Sequence, residues 1–167
     1  EFSPRGTVTG AAVPCGEGLS AADFPASVAG NIALIQRGTI AFADKVTNSG
    51  TMEGGIYVGG GVNTVTNSGS VGKDSSHRSV DAGNQEDTVN NSKTMSGSVS
   101  LGDGKNSLTN SGTVGKSSYD YDYSYRGGSD GDTVSNTATG NMAGGVDVGT
   151  GNNGLTNAGS IGKNSSD

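Results

Sequence analysis

The chain has 167 residues, enough for one domain or for one domain and part of another. Glycine accounts for 31 residues and hydrophobic residues for only 30%, with no tryptophan, so a conventional thick core is excluded. The formal charge of −6 disfavours nucleic acid and anionic lipid as partners. The one cysteine, Cys15, excludes an intrachain disulfide and a metal site built from cysteines. No apolar run approaches the length of a membrane span.

The first 43 residues differ from the rest of the chain. They contain all three prolines and all three phenylalanines. Within them, residues 31–37 (Asn-Ile-Ala-Leu-Ile-Gln-Arg) predict a buried strand that ends in polar residues. We expect residues 1–43 to form an irregular cap, because the open end of a stacked β-fold is an unpaired edge.

A resemblance to a known family begins in this region. It is carried by Asp23-Phe24-Pro25, by residues 29–38 with their Ile-Ala-Leu-Ile-Gln-Arg-Gly core, and by Phe42, Lys45-Val46 and Asn48. Together these residues resemble the first half of a protease-associated (PA) domain over about residues 10–48. That family occurs in secreted subtilisin-like peptidases. The resemblance implies an accessory region that helps substrate access in a serine peptidase whose catalytic domain lies outside this chain. After Asn48 the chain leaves the family's pattern and becomes glycine-rich.

From residue 44 a five-residue pattern occurs six times: Asp or Asn, any residue, Val or Leu, any residue, Asn. Its copies span residues 44–48, 63–67, 87–91, 106–110, 132–136 and 153–157. The final residues of the copies are Asn48, Asn67, Asn91, Asn110, Asn136 and Asn157. A disordered chain, the alternative that the glycine content leaves open, has no reason to keep apolar residues in such register.

Short segments with period-two alternation lie between the copies, such as residues 55–58, 98–101 and 145–148. The two signals together predict an all-β fold, a right-handed parallel β-helix (β-solenoid) of about six coils over residues 44–167. Its coils would stack at about 4.8 Å, with like residues above like. The apolar positions would then form interior columns, and the six final asparagines would form a structural ladder of side-chain amides.

A longer period lies on top of the first. Lys73, Lys116 and Lys163 each follow a Gly-Ser/Thr-Val/Ile-Gly sequence, and a polar stretch follows each lysine. We therefore expect units of two coils, with long loops at 73–87 and 116–132 that project from the same side of the solenoid. That side is the expected interaction surface.

The repeats resemble the passenger solenoids of bacterial autotransporters and related large adhesins over about residues 44–167. The resemblance is carried by residues 98–114 and by their copy at 146–161. It implies a non-enzymatic structural or adhesive segment, extracellular or at the bacterial cell surface. Its partner would be a protein or a glycan on a host or neighbouring cell.

The candidate partner-binding residues lie in the second loop, where four tyrosines alternate with Asp and Ser: Tyr119, Tyr121, Tyr123 and Tyr125. As a strand, this segment would place all four rings on one face. An exposed tyrosine stripe offers contact area at small entropic cost. The alternative is that the tyrosines cover the flank of the solenoid.

No cofactor and no catalytic residue are expected. Four aspartates are weak candidates for a calcium site, with a solvated acidic loop as the alternative: Asp120, Asp122, Asp130 and Asp132. Segments such as 149–155 resemble calcium-binding β-rolls, but mostly carry Asn where a carboxylate is needed. If the chain is nevertheless a calcium-dependent β-roll, chelation would melt it. The one histidine, His77, lies in a polar loop with no nucleophile motif around it.

Overall fold

The computed structural model describes residues 12–14, 32–34 and 44–162. The chain divides into two compact units, Glu1–Ile40 and Ala41–Asp167. In the first unit, strands β1 (Ala12–Pro14) and β2 (Ile32–Leu34) pair in parallel, and β2 lies within the strand that the sequence predicts. The predicted cap at 1–43 otherwise falls outside the described residues.

The second unit is a parallel β-solenoid of six coils, which confirms the predicted all-β fold. Three parallel sheets run along it. Sheet 1 contains β3 (Lys45–Asn48), β6 (Thr64–Asn67), β9 (Thr88–Asn91), β12 (Ser107–Asn110), β15 (Thr133–Asn136) and β18 (Gly154–Asn157). Sheet 2 contains β4 (Thr51–Met52), β7 (Ser70–Val71), β10 (Thr94–Met95), β13 (Thr113–Val114), β16 (Asn141–Met142) and β19 (Ser160–Ile161). Sheet 3 contains β5 (Ile56–Gly59), β8 (Val80–Ala82), β11 (Val99–Gly102), β14 (Tyr123–Gly127) and β17 (Gly145–Asp147). Coils 1–5 each take one strand from each sheet in chain order, starting at β3, and coil 6 contributes β18 and β19.

The core is a set of columns, one residue wide, that run through the stack. Val65 pairs in register with Val89, and Val89 with Leu108, along sheet 1. Sheet 2 contributes Val71, Met95, Val114 and Met142, and sheet 3 contributes Ile56, Val80, Val99 and Tyr125, all buried. Because side chains alternate across a strand, the residues between these columns face outward. A core of this kind needs only one or two apolar residues per sheet in each coil, which explains the low hydrophobic content.

The predicted asparagine ladder forms at the corner between sheets 1 and 2. Each side-chain amide donates to the Oδ1 of the asparagine in the next coil, at 2.8–2.9 Å along the whole column. The same Nδ2 also donates to the next coil's sheet 2, as from Asn91 to the Thr113 carbonyl at 3.0 Å. At five of the six positions the Oδ1 in turn accepts from a backbone N–H at its own corner, such as Gly112 N to Asn110 Oδ1 at 3.2 Å. One side chain therefore builds the turn and links the coils.

Glycines at the corner that leads from sheet 3 into the next coil allow the coils to stack closely. Gly102 has a φ of +65°, which disfavours other residues. A Cβ at that position would also lie 2.1 Å from the carbonyl oxygen of Gly83 in the coil before. This corner therefore requires glycine for both its conformation and its packing.

The predicted loops at 73–87 and 116–132 are shorter than expected. Strand β8 lies inside the first and strand β14 inside the second, and both pair with β11 of sheet 3. The sequence signal for these strands is weak, because each contributes only one apolar column residue, Val80 or Tyr125, among polar and charged neighbours. Pairing with adjacent coils, rather than local propensity, makes them strands.

We predict that Asn110→Ala destabilises the solenoid by about 3 kcal/mol, because it removes the Oδ1 that accepts from the buried amide of Asn91 and the Nδ2 that donates to the Oδ1 of Asn136. Chemical denaturation followed by circular dichroism measures the change. Thr109→Ala, on the exposed side of the same strand, is the control and should change stability little. Equal losses of unfolding free energy in the two variants would contradict a stabilising role for the ladder.

Candidate functional site: the insertion corner

At the corner between sheets 2 and 3, two of the five connections are much longer than the other three. We call it the insertion corner. Its connections in coils 1, 3 and 5 are residues 53–55, 96–98 and 143–144, whereas coils 2 and 4 use residues 72–79 and 115–122. These two longer segments are called the first and second insertions. Both leave the solenoid at the same corner, as the period of two coils predicts.

Serine side chains close the base of each insertion. Ser79 Oγ donates to the Val71 carbonyl at 3.1 Å and accepts from Gly97 N at 2.9 Å. Ser124 Oγ makes the same pair of bonds, to the Val114 carbonyl at 3.2 Å and from Gly144 N at 2.7 Å. The two insertions therefore rise from matched, hydrogen-bonded bases, although their sequences differ.

An ion pair joins the two insertions across coil 3. Arg78 Nη2 lies 2.7 Å from Asp120 Oδ1, and Arg78 Nε lies 3.0 Å from both carboxylate oxygens. Asp120 is fully buried and also accepts a hydrogen bond from Ser98 Oγ. Arg126 Nη1 approaches the same carboxylate at 3.9 Å. These contacts span 42 residues of sequence and hold the insertions together.

The electrostatics match this geometry. Burial raises the pKa of Asp120, but the hydrogen bonds from Arg78 and Ser98, with the charge of Arg78, outweigh it and hold this pKa below its ordinary value. The hydrogen bond with Asp120 raises the pKa of Arg78, with help from the Asp81 charge. Both groups are therefore charged at neutral pH. Arg78 Nη1 also contacts Asp81 Oδ1 at 3.0 Å.

A groove of about 380 Å³ lies beside the first insertion, against the corner of coil 1. Tyr57 stands at its edge with 67% of its surface exposed. Charged residues of both signs line it, and the lining includes Glu53, Lys73, Asp74, His77 and Arg78. A second hollow of about 260 Å³ shares Tyr57, His77 and Arg78 with it and adds Asp81.

His77 lies on this groove rather than apart from it. Its Nδ1 is 3.7 Å from Asp74 Oδ1, with both side chains mostly exposed. The Asp74 carboxylate accepts from Ser76 N at 2.9 Å, so it shapes the turn of the first insertion. The sequence places His77 in a polar loop, and it contains no pattern that predicts a shared site for Tyr57, Arg78 and Asp120.

The prediction that four tyrosines share one face is wrong. Residues Ser118–Asp120 form a short 3₁₀ helix, so Tyr119 lies outside any strand. Tyr121 follows with a left-handed φ of 52°, is 79% exposed, and has the guanidinium of Arg126 at 5.7 Å from its ring centroid. Tyr125 is completely buried in the core and therefore makes no contact with a partner. A tight turn at Tyr121-Asp122 breaks the alternation that a strand would need. Partner binding by Tyr121 and by half-buried Tyr123 stays a prediction.

The four aspartates proposed as weak calcium ligands are not brought together. Asp120 is paired with Arg78, and Asp122 lies 3.6 Å from Lys116 Nζ at the insertion corner. Asp130 and Asp132 belong to the next corner, where their carboxylates accept from Gly104 N and Asn106 N. In the described residues, no three His, Cys, Asp or Glu side chains are grouped closely enough to hold a metal ion.

Sequence reasoning also missed an inner column of acids and amides at the first position of the repeat pattern. It alternates Asp and Asn through six coils: Asp44, Asn63, Asp87, Asn106, Asp132 and Asn153. Each Oδ1 from Asn63 onward accepts from the backbone N–H of the column residue one coil before, at 2.7–3.0 Å. The asparagine amides also cap the glycine corner, as from Asn106 Nδ2 to the Gly104 carbonyl at 2.9 Å. The alternation was visible in the sequence, but only the last position of the pattern was assigned a ladder.

Two aspartates of this column, Asp87 and Asp132, lack the second set of hydrogen bonds that the asparagine amides make. Asp87 is 2% exposed and Asp132 is completely buried, and neither Oδ2 makes a hydrogen bond. Burial raises the pKa of the Tyr125 phenol, and the nearby carboxylate of Asp132 adds to this effect. The hydroxyl and the carboxylate nevertheless lack ordinary hydrogen-bond geometry. Burial is the main cause that raises the pKa of Asp87 and of Asp132.

In a comparison with protein families, the model of the PA domain matches residues 8–56. The match agrees with the resemblance found in the sequence, and it extends into coil 1, where residues 45–48 and 51–52 form strands of the solenoid. Comparison with curated proteins finds no match. Comparison with solved structures finds no match either. In the described part of the chain, no helix has the length and hydropathy to cross a membrane.

We predict that Arg78→Gln costs about 3 kcal/mol of stability, because it leaves the buried Asp120 carboxylate without its main partner. Asp120→Asn should cost less, since Arg78 is partly exposed and keeps Asp81. Chemical denaturation of both single variants and of the double variant gives the coupling energy. Additive losses would show that the two insertions are not joined through this pair.

We also predict that the solenoid is more stable at mildly acidic than at neutral pH. The folded pKa values of Asp87 and Asp132 are raised, so their contribution is present below the unfolded pKa and is lost as pH rises through the folded pKa. The folded pKa of Asp120 is lowered, so its contribution holds above the unfolded value and is lost as pH falls below it. The unfolding free energy should therefore be larger at about pH 4.5 than at about pH 7.5.

The substitution Asp132→Asn tests the cause of this pH dependence. Its Oδ1 can still accept from Asn106 N, and an amide replaces the unpaired oxygen beside Tyr125. We expect a gain of about 1 kcal/mol at neutral pH and a flatter pH profile. Asp147→Asn, which keeps an acceptor for Gly149 N, is the control. A destabilised Asp132→Asn with an unchanged profile would contradict the interpretation.

Proposed function

We propose that the chain is a non-enzymatic structural or adhesive segment of a secreted or surface-displayed bacterial protein of the autotransporter passenger type. The insertion corner would be its contact surface, and a protein or a glycan on a host or neighbouring cell its partner. The observation that carries this proposal is the ion pair of Arg78 with Asp120, which holds two insertions from one corner in a fixed arrangement.

The solenoid suits the role of a scaffold. Each coil repeats the same amide ladder and the same apolar columns, so stability is a sum of similar units and their interfaces. Such a stack is stiff along its axis, and it presents whatever its corners carry at regular intervals. The bonds at the bases of the insertions, with the ion pair between them, mean that part of the ordering cost of binding is met in the free protein.

A cell-binding experiment tests this proposal. Beads coated with the full chain are incubated with candidate host or bacterial cells, and bound beads are counted. A variant with Asp74, Ser75 and His77 changed to alanine removes exposed side chains of the first insertion. A control variant has Asn90 and Thr109, on the exposed face of sheet 1, changed to alanine. We expect binding to fall severalfold for the insertion variant only. Equal binding by both variants, or none by the parent chain, would contradict an adhesive role for this corner.

The family match favours a second candidate. A PA-like segment over residues 8–56 suits an accessory, substrate-access region of a secreted subtilisin-like serine peptidase whose catalytic domain lies outside this chain. A variant without residues 1–43 separates the two candidates. The adhesive proposal expects an unchanged β spectrum and unchanged cell binding, whereas the accessory role expects the loss of whatever binding the chain shows.

A further inference from the structure

We infer that the groove between Tyr57 and the first insertion is a binding site for a neutral carbohydrate. This inference rests on the proposed function and names the class of ligand for its contact surface. The groove holds about 380 Å³, within the range of small-molecule sites, roughly 300–1,000 Å³. The ring of Tyr57 and the pair formed by Arg78 and Asp81 supply the two kinds of contact that such a ligand needs.

Comparison of the repeats shows why the recess exists. At the start of sheet 3, Gly55 of coil 1 occupies the position that Ser98 holds in coil 3, since Ile56 and Val99 both pair with Val80. In coil 3, the side chain of Ser98 and the buried carboxylate of Asp120 fill the space under the second insertion. Coil 1 has only glycines at residues 54–55, where a Cβ on Gly54 would meet no atom within 4 Å, and both residues line the groove under the first insertion.

Gly55 also fixes the shape of this space. A Cβ there would lie 2.5 Å from the carbonyl oxygen of Arg78 and 3.4 Å from the ring of Tyr57. Glycine therefore lets the first insertion and the tyrosine ring both approach the backbone of coil 1. The close approach of backbone at Gly55 therefore forms one side of the groove.

Tyr57 presents a flat ring whose position the fold dictates. Its neighbours Ile56 and Val58 are buried in the core at 5% and 7% exposure, so alternation directs Tyr57 outward. Two thirds of its surface is exposed. Pyranose rings carry a face of C–H groups that packs on such an aromatic ring, while the phenol hydroxyl stays available for hydrogen bonds.

Arg78 and Asp81 supply a donor and an acceptor side by side. The Arg78 guanidinium is held from two directions, by Asp120 at 2.7 Å and by Asp81 at 3.0 Å. These bonds use one N–H of each terminal nitrogen and leave a second N–H on each. Neighbouring hydroxyl groups of a sugar both donate and accept, so a rigid pair of this kind matches them at little entropic cost.

The charge and size of the groove favour a neutral glycan over other ligands. Two cations, Lys73 and Arg78, face two carboxylates, Glu53 and Asp74, in the groove, and Asp81 lies in the adjoining hollow. An anionic ligand would meet a guanidinium that Asp81 and Asp120 have already neutralised, in a groove whose own charges balance. A folded protein partner needs roughly 800 Å² on each side, which a recess of this size does not offer by itself.

Saturation-transfer NMR on the full chain is the direct experiment. The probes are neutral malto-, cello-, xylo-, manno-, galacto- and chito-oligosaccharides at millimolar concentration, with a sialylated and a sulfated oligosaccharide for comparison. Hits are then titrated to obtain Kd. We expect Tyr57→Ala to weaken binding at least about tenfold, and Tyr57→Phe, which keeps the ring, to stay within about twofold. Val62→Ala, a change at an exposed residue away from the insertion corner, is the control, and circular dichroism melts verify that each variant is folded.

Three results would overturn the inference: no transfer to any neutral oligosaccharide, unchanged binding by Tyr57→Ala, or a preference for the charged probes. The bead assay keeps this outcome separate from that of the proposed function. If sugars do not bind but the insertion variant still loses cell binding, the adhesive role stands and the groove assignment falls. If sugars bind through Tyr57 while cells do not bind at all, the groove assignment stands and the adhesive role falls.

Discussion

Hydrogen bonds between asparagine amides in successive coils are the interaction on which the rest of this structure depends. A carboxamide both donates and accepts, so a column of identical side chains can satisfy itself indefinitely while also building each turn. The column fixes which residues lie above one another, and a slip of one residue would move every apolar side chain to the wrong face. A core of single-residue columns can therefore be well ordered although the chain is poor in hydrophobic residues.

The inner column shows what happens when one of these amides is replaced by an acid. The Oδ1 of Asn106 accepts a hydrogen bond from the backbone N–H of Asp87 in the coil before it, and its Nδ2 donates to the carbonyl of Gly104 at the glycine corner. Asp132 keeps the first bond, but its second oxygen is left buried beside the Tyr125 hydroxyl. Burial then favours the neutral acid. The stability of the solenoid is thus linked to pH from inside the core, whereas the buried carboxylate of Asp120, paired with Arg78 at the insertion corner, acts in the opposite sense.

The insertion corner connects this scaffold with function. Regular stacking places the insertions of coils 2 and 4 two coils apart, near enough for Arg78 to reach over coil 3 to Asp120. At the insertion corner of coil 1, the groove lies beside Gly54, Gly55 and Tyr57. Both the order of the insertions and the recess next to them therefore follow from the period of the repeat, and the proposals for adhesion and carbohydrate binding depend on that arrangement.

The sequence by itself determined the fold class, the extent of the repeats, the asparagine ladder and the side from which the insertions project. These features are periodic, and periodicity is visible in one dimension. It also carried the PA-like segment that the family match supports at residues 8–56. Strands β8 and β14, the burial of Tyr125 and the turn at Tyr121 were decided only by tertiary structure, because neighbouring coils supply the pairing that these segments lack locally. The partnership of Arg78 with Asp120 joins residues 42 positions apart, and no local pattern encodes a contact that exists only once the coils are stacked.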